Sequence, residues 1–209
     1  PERSLDALQN GKWTLEVPLW DIVAKAAIML YSHSGLRPTE LRLAKLDDLD
    51  LANMTIRVSS PKGKGRWADG NEIAPLMPGC ELAIAEYLRE RNELLSRCGC
   101  PNHESLFPFV ALNGRVGYWS QAMWGKLKQQ VEMSSGVGFR WKDFRPTLAQ
   151  HLLDSGVTIE VASKVLRHTS TRTTELYYAR IRPESAFSKA RQAWQSWKPS
   201  AAAIPILAD

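Results

Sequence analysis

Cysteine is scarce in this chain, three among 209 residues. That odd, low count argues against a disulfide framework and for a reducing compartment. No apolar run approaches the roughly 18 to 20 residues that a membrane-spanning helix needs. The opening residues, PERSLDALQNGKW, lack the basic-then-apolar layout of a secretory leader. They also lack an initiator methionine, as expected of a trimmed piece of a longer protein. These absences together point to a cytoplasmic setting. No cluster of acidic residues is suited to holding Mg²⁺, so negative charge on a substrate has to be met by the chain's own cations. There is no internal repeat, and low complexity is confined to the tail PSAAAIPILAD.

What is present is enough for one well-packed domain with a small appendage: 44% of the residues are apolar. The net charge of +5 leans toward a polyanionic partner, although an ordinary mildly basic protein carries as much. The stretch CGCPNH sets Cys98, Cys100 and His103 close together. No second ligand pair follows at zinc spacing, so a simple loop between helices competes with a metal site and is the plainer account.

Periodicity divides the chain. LWDIVAKAAIMLYSHSG is helical and stops at Gly35, and PTELRLAKL restarts a helix with Glu40 in its first turn. MTIRVSS and NEIAPL read as the two strands of a hairpin whose basic, glycine-containing tip is PKGKGRWADG. GCELAIAEYLRERNELL is a strongly patterned amphipathic helix, LFPFVALNGRVGYW is loop-like, and SQAMWGKLKQQVEM is a helix capped by Ser120. Asp143 is the expected N-cap of FRPTLAQHLLDSG, which closes on Gly156. TIEVASKVLRH follows from Thr158, then TELYYARI and a last helix, PESAFSKARQAWQSWK. The fold class is mainly α with a small antiparallel β-sheet.

The tripeptide R-P-T occurs twice, 108 residues apart (145 − 37), in SGLRPTEL and KDFRPTLAQ. Proline is tolerated in a helix only in the first turn, so Arg37 and Arg145 each stand at or beside a helix start. The flanks do not match, which excludes a duplicated unit. Two guanidinium forks at two helix starts suit a bound phosphate.

In order and spacing, SGLRPTEL, PKGKGR, KDFRPTLAQHLLDSG and VLRHTSTRTTELYY resemble the catalytic domain of the tyrosine recombinase (phage integrase) family. The resemblance runs from about residue 18 to about 182. Arg37 matches the first arginine of that family, in its G-L-R-x-x-E-L pattern, and Glu40 the acidic residue that supports it. Lys62 matches the hairpin lysine, with Lys64 two residues on as a rival. Arg145 matches the second arginine, in the box written H-x-L-R, and His168 the histidine of the L-G-H box. Tyr177, nine positions later (177 − 168), stands where the family has its nucleophile. Tyr178 lies about 100° round the same helix, and the family spacing favours Tyr177. Two positions depart from the pattern: Arg167 replaces the usual glycine before His168, and Lys142 replaces the histidine of H-x-L-R.

The resemblance implies the DNA breaking-rejoining fold and a site-specific, metal-independent recombinase. Such an enzyme cuts and rejoins double-stranded DNA through a 3′-phosphotyrosyl intermediate, without a cofactor or small-molecule substrate. An integrase of a prophage or other mobile element, nucleoid-associated and working as a homo-oligomer (a tetramer) on DNA, is the expectation. Residues 1–182 would form the catalytic domain and 183–209 a C-terminal helix and tail. That helix carries Phe187, Ala190, Trp194 and Trp197 in one stripe, and the tail after it, with Ile204, Ile206 and Leu207, docks either on its own domain or on a neighbouring protomer. The N-terminal core-binding domain of the family has no counterpart in this sequence. A type IB topoisomerase shares the chemistry, and a DNA-binding module with a decayed site is the non-enzymatic alternative. Each match alone has a plainer account as a surface cap, a structural histidine or a solvated turn. Four in family order do not.

Overall fold

The computed structural model describes residues 2–59, 72–111, 113–168 and 170–172, with 175, 191 and 195 beyond them. The expected Lys62, Lys64, Tyr177, Tyr178, the last helix and the tail therefore lie outside the described residues.

The centre is α2 (Pro18–Ser34), which begins with proline in its first turn. It is apolar on most sides. Val23, Ala24, Ala27, Ile28, Leu30 and Tyr31 are fully buried, as expected of a helix surrounded by others. The alanines let neighbours approach closely. Packed around α2 are α1 (Glu2–Asn10), α4 (Glu81–Arg97), α5 (Gln121–Ser135) and α6 (Phe144–Asp154). Between α2 and α4 run the five-residue α3 (Pro38–Arg42) and a three-stranded antiparallel sheet, β1 (Leu49–Asp50), β2 (Thr55–Val58) and β3 (Glu72–Pro75). Register pairs Val58 with Glu72 across the mouth of the expected hairpin. The last helix with both ends among the described residues is α7 (Ile159–Val165), which packs on α6.

Aromatic rings fill the space between α2, α5 and α6. Tyr31 stacks on Phe144 at 5.9 Å and Trp124 meets Trp119 edge-on at 5.4 Å. The Tyr31 hydroxyl donates to the Pro38 carbonyl (2.9 Å) and accepts from the Trp124 indole (3.3 Å). It thereby ties the core helix to the start of α3. Burial pushes the Tyr31 phenol far above its usual range, so it serves only as a neutral hydrogen-bonding group.

Three expectations need correction in whole or in part, and one helix was not expected. The stretch expected to be loop-like contains a hairpin, β4 (Pro108–Val110) with β5 (Val116–Tyr118). Its turn includes Asn113 and Gly114, a strong hairpin signal, and each strand is too short to show alternation. The helix expected over PTELRLAKL stops at Arg42, after which the chain makes a 3₁₀ turn over Leu46–Asp48. Asp143 takes the N-cap position of α6 as expected, but its side chain makes no capping bond there. Its carboxylate instead accepts from the Arg140 N–H (3.0 Å) and closes the 3₁₀ turn Trp141–Asp143 that leads into the helix. Helix α1 was not anticipated from the leading residues at all; its Leu8 is buried in the core. Ser120 and Thr158 do cap α5 and α7, accepting from Met123 and Val161.

Arg91 of α4 is buried at 1% exposure. Its guanidinium donates to the carbonyls of His103 (2.6 Å), Ser105 (2.6 Å) and Leu106 (3.1 Å). It thus holds the loop after CGCPNH, where His103 accepts from the Ser105 N–H rather than joining the cysteines. Among the described residues no group of three or more His, Cys, Asp or Glu could hold a metal ion. Arg91→Ala would strand those carbonyls and open a cavity, so a loss of about 2–4 kcal/mol is expected. The denaturant midpoint measures it. A loss below about 1 kcal/mol would show that water replaces the guanidinium.

Candidate active site

Arg37 occupies the N-cap of α3, immediately before Pro38. Its guanidinium pairs with Glu40 Oε1 at 2.6 Å, and its backbone N–H donates to Glu40 Oε2 at 2.8 Å. The Glu40 side chain is 2% exposed. A buried carboxylate has to be fully partnered, and Glu40 is: Oε2 also accepts from Arg167 Nη2 at 2.6 Å. Arg167 in turn pairs through Nε with Glu72 Oε2 of β3 at 3.2 Å.

Arg145 is the second residue of α6. Its Nη1 donates to the Gly35 carbonyl at 2.7 Å, its Nη2 to the Leu166 carbonyl, and its Nε to His168 Nε2 at 3.3 Å. Gly35 caps α2 in the left-handed region (φ 60°). A Cβ there would come within 2.7 Å of Leu166 Cδ2, so glycine serves both the turn and the close approach of α7.

The loop after α7 sets His168. Arg167 N–H bonds to the Lys164 carbonyl (2.9 Å) and His168 N–H to the Ser163 carbonyl (3.0 Å). This pair of bonds is a Schellman motif. Its left-handed residue is Arg167, at φ 56°, where the sequence pattern leads one to look for glycine. The turn before His168 therefore keeps its glycine-type backbone despite the arginine.

Among the described residues the cluster is short of negative charge: Arg37, Arg145 and Arg167 face Glu40 and Glu72, one carboxylate fewer than the guanidiniums. Burial first, and then Arg37 and Arg167, press the Arg145 pKa downward. A delocalised guanidinium nonetheless stays protonated at neutral pH, so a bound anion would relieve the repulsion. His168 is pushed down to about 4, first by burial and then by Arg145, Arg37 and Arg167. It is neutral at pH 7 and, with Nε2 accepting from Arg145, carries its proton on Nδ1.

That shift has a pH signature. The folded pKa of His168 lies below its ordinary value of about 6.5, so the unfolded chain binds the proton more tightly. Stability should be complete above about pH 6.5 and decline as pH falls toward 4, by about 1–2 kcal/mol once solvent screening of a partly buried ring is allowed for. His168→Gln should flatten that limb. An unchanged slope in urea titrations from pH 4 to 7 would contradict it.

Of the residues expected from sequence, the structure brings Arg37, Glu40, Arg145 and His168 into one cluster. Lys142 sits apart on the 3₁₀ turn before α6, exposed. It lines a basic groove with Pro38, Arg42, Lys128 and Arg140, and none of Arg37, Arg145 and Arg167 is among the residues lining it. Sequence reasoning passed over Glu72 and treated Arg167 only as a departure. Separations of 95 and 127 residues link Arg167 to its two carboxylates, and no local pattern signals such pairs.

Residues 15–184 match the model of the phage integrase family. The chain belongs to that family. Among curated relatives it is 29% identical over 170 residues to tyrosine recombinase XerC of Roseiflexus sp. (strain RS-1), covering 78% of this chain and 51% of the relative. It is 31% identical over 155 residues to tyrosine recombinase XerD of Listeria innocua serovar 6a, covering 73% and 48%. The chain thus spans about half the length of these integrase-family relatives. Three solved structures share the fold. The XerA recombinase matches with a TM-score of 0.65 at 23% identity, over 92% of this chain and 60% of that one. XerH bound to its palindromic difH substrate matches with 0.64 at 19%, over 93% and 51%. The Tn1549 transposon integrase with circular intermediate DNA matches with 0.56 at 21%, over 90% and 62%. Fold expectation and family expectation from the motifs are both met.

Proposed function

We propose that this integrase-family chain is the catalytic part of a site-specific DNA recombinase of a prophage or other mobile element, working on a DNA phosphodiester. The observation that supports it most is the convergence of Arg37, Arg145 and His168 on one locus with a positive charge to spare. In-line attack on a phosphodiester builds negative charge on the non-bridging oxygens, and preorganised cations lower that barrier. Arg37 and Arg145 would clamp these oxygens, with a hydrogen bond from His168. The Tyr177 oxygen forms a bond to phosphorus while the bond from phosphorus to the 5′-oxygen breaks. Tyr177 gives up its proton to water and Lys62 supplies one to the leaving oxygen. The energy of the ester is kept in the 3′-phosphotyrosyl link, so a second 5′-hydroxyl can reverse the step. Lys142, exposed in the basic groove, would act there as a further phosphate clamp rather than as a base.

Residues 1–182 would be the catalytic unit and 183–209 a helix and tail docked on a neighbouring protomer of a tetramer. A separate DNA-clamping domain in the whole protein would complete the grip on DNA. The test is covalent capture. The chain is mixed, in the presence of a chelator, with nicked duplexes carrying a randomised segment, and adducts that survive detergent are collected. Adducts enriched in one sequence and attached through a 3′-phosphate are the expected result. No adduct from any duplex, with the protein folded, would leave this reading without support.

A further inference from the structure

Arg167 costs the fold stability in three ways. A β-carbon in the left-handed region is strained. Its side chain is 7% exposed, and burial lowers its pKa. Its Nη1 is buried without a hydrogen-bond partner among the described residues, where a native structure seldom leaves a donor unmet. Glycine at this position would avoid all three costs and keep the Schellman turn.

What the guanidinium gains instead is a pair of carboxylates from different parts of the chain. Glu40 is the residue that grips Arg37, by side chain and backbone both. Glu72 opens β3 directly after the segment that carries Lys62. We propose that Arg167 is a positioning residue for DNA cleavage: it spans Glu40 and Glu72, fixing Arg37 in the cluster and fastening strand β3 to it. The inference rests on the DNA-cleavage reading above. With the Arg37 guanidinium shared by one oxygen of Glu40 and Arg167 held by the other, neither Arg37 nor the carboxylate can swing without breaking an ion pair. Losing Arg167 would leave Glu40 held from one side and Glu72 without this link.

Single-turnover cleavage of a captured nicked duplex, at saturating DNA, tests it. Arg167→Gly should slow cleavage about 10- to 100-fold, the scale on which a misplaced group is felt. Non-covalent binding of a mixed-sequence duplex should stay within about threefold, since phosphate contacts elsewhere carry affinity. Arg167→Lys keeps the charge but cannot fork across two carboxylates, so it should be nearly as slow. Glu72→Gln, on a half-exposed strand end, should slow cleavage by a smaller factor. Combined with Arg167→Gly it should add nothing, because both break one link. Should Arg167→Gly fail to fold, Glu72→Gln still decides: cleavage at the parent rate overturns the proposal. Full activity in Arg167→Lys, or independent effects in the double variant, overturns it as well. A parent chain that forms no adduct sinks the DNA-cleavage reading and this inference with it. A parent that cleaves beside an equally fast Arg167→Gly sinks this inference alone.

Discussion

Tyr177→Phe should abolish the covalent DNA adduct, whereas Tyr178→Phe should leave it largely intact. A phenol with a pKa near 10 is ionised in only about one molecule per thousand at pH 7. It becomes a useful nucleophile only when cations and the bound phosphate ease its deprotonation and hold its oxygen in line. The two tyrosines are adjacent in sequence, and on the helix expected there about 100° would separate their side chains, so only one would meet the arginine cluster. Removing that oxygen removes the atom that would bond to phosphorus, and no neighbouring donor replaces it. Detergent-resistant adduct on the captured duplex is the readout. An adduct that persists in Tyr177→Phe and disappears in Tyr178→Phe would reverse the assignment.

The second large effect belongs to Arg145, and it should be double. Arg145→Lys should slow cleavage by about 10²- to 10³-fold, as loss of one preorganised donor to a developing oxyanion does elsewhere. A lysine offers a single charged point where the fork is needed. Arg145 also holds the Gly35 and Leu166 carbonyls, so Arg145→Ala should lower stability by about 1–3 kcal/mol. Arg37→Lys provides the contrast. Arg37's backbone N–H keeps its bond to Glu40, so cleavage should fall with little change in the denaturant midpoint. Cleavage within about threefold of the parent for Arg145→Lys would remove the phosphate clamp from the account, since a donor aimed at the transition state costs far more than that.

The elements that sequence revealed are those whose signals are local. The apolar run of α2 and its stop at Gly35 could be read directly, because a buried helix ends where a left-handed residue is needed. Ser120 and Thr158 announced their helices through hydroxyls that bond three residues on. Arg37 and Arg145 were found because proline confines itself to a first turn. The hairpin Pro108–Tyr118 escaped since three-residue strands carry no period, and α1 escaped since few of its residues face the core. Asp143 was rightly placed at the start of α6, but the bond its carboxylate makes depends on where the Arg140 N–H lies.

By itself, then, the sequence determined the helical class, the hairpin strands and the family, through motifs whose spacing survives without any contact being known. It also identified the glycine-type position that Arg167 occupies. Only the tertiary structure decided that the turn stays left-handed with an arginine in it. It decided too that this arginine reaches Glu40 and Glu72, and that Lys142 stands in a basic groove while Arg145 bonds His168. Local rules act over about one helical turn, whereas a buried guanidinium finds its carboxylates through packing of segments some hundred residues apart, and desolvation enforces the match only once the chain has folded around them.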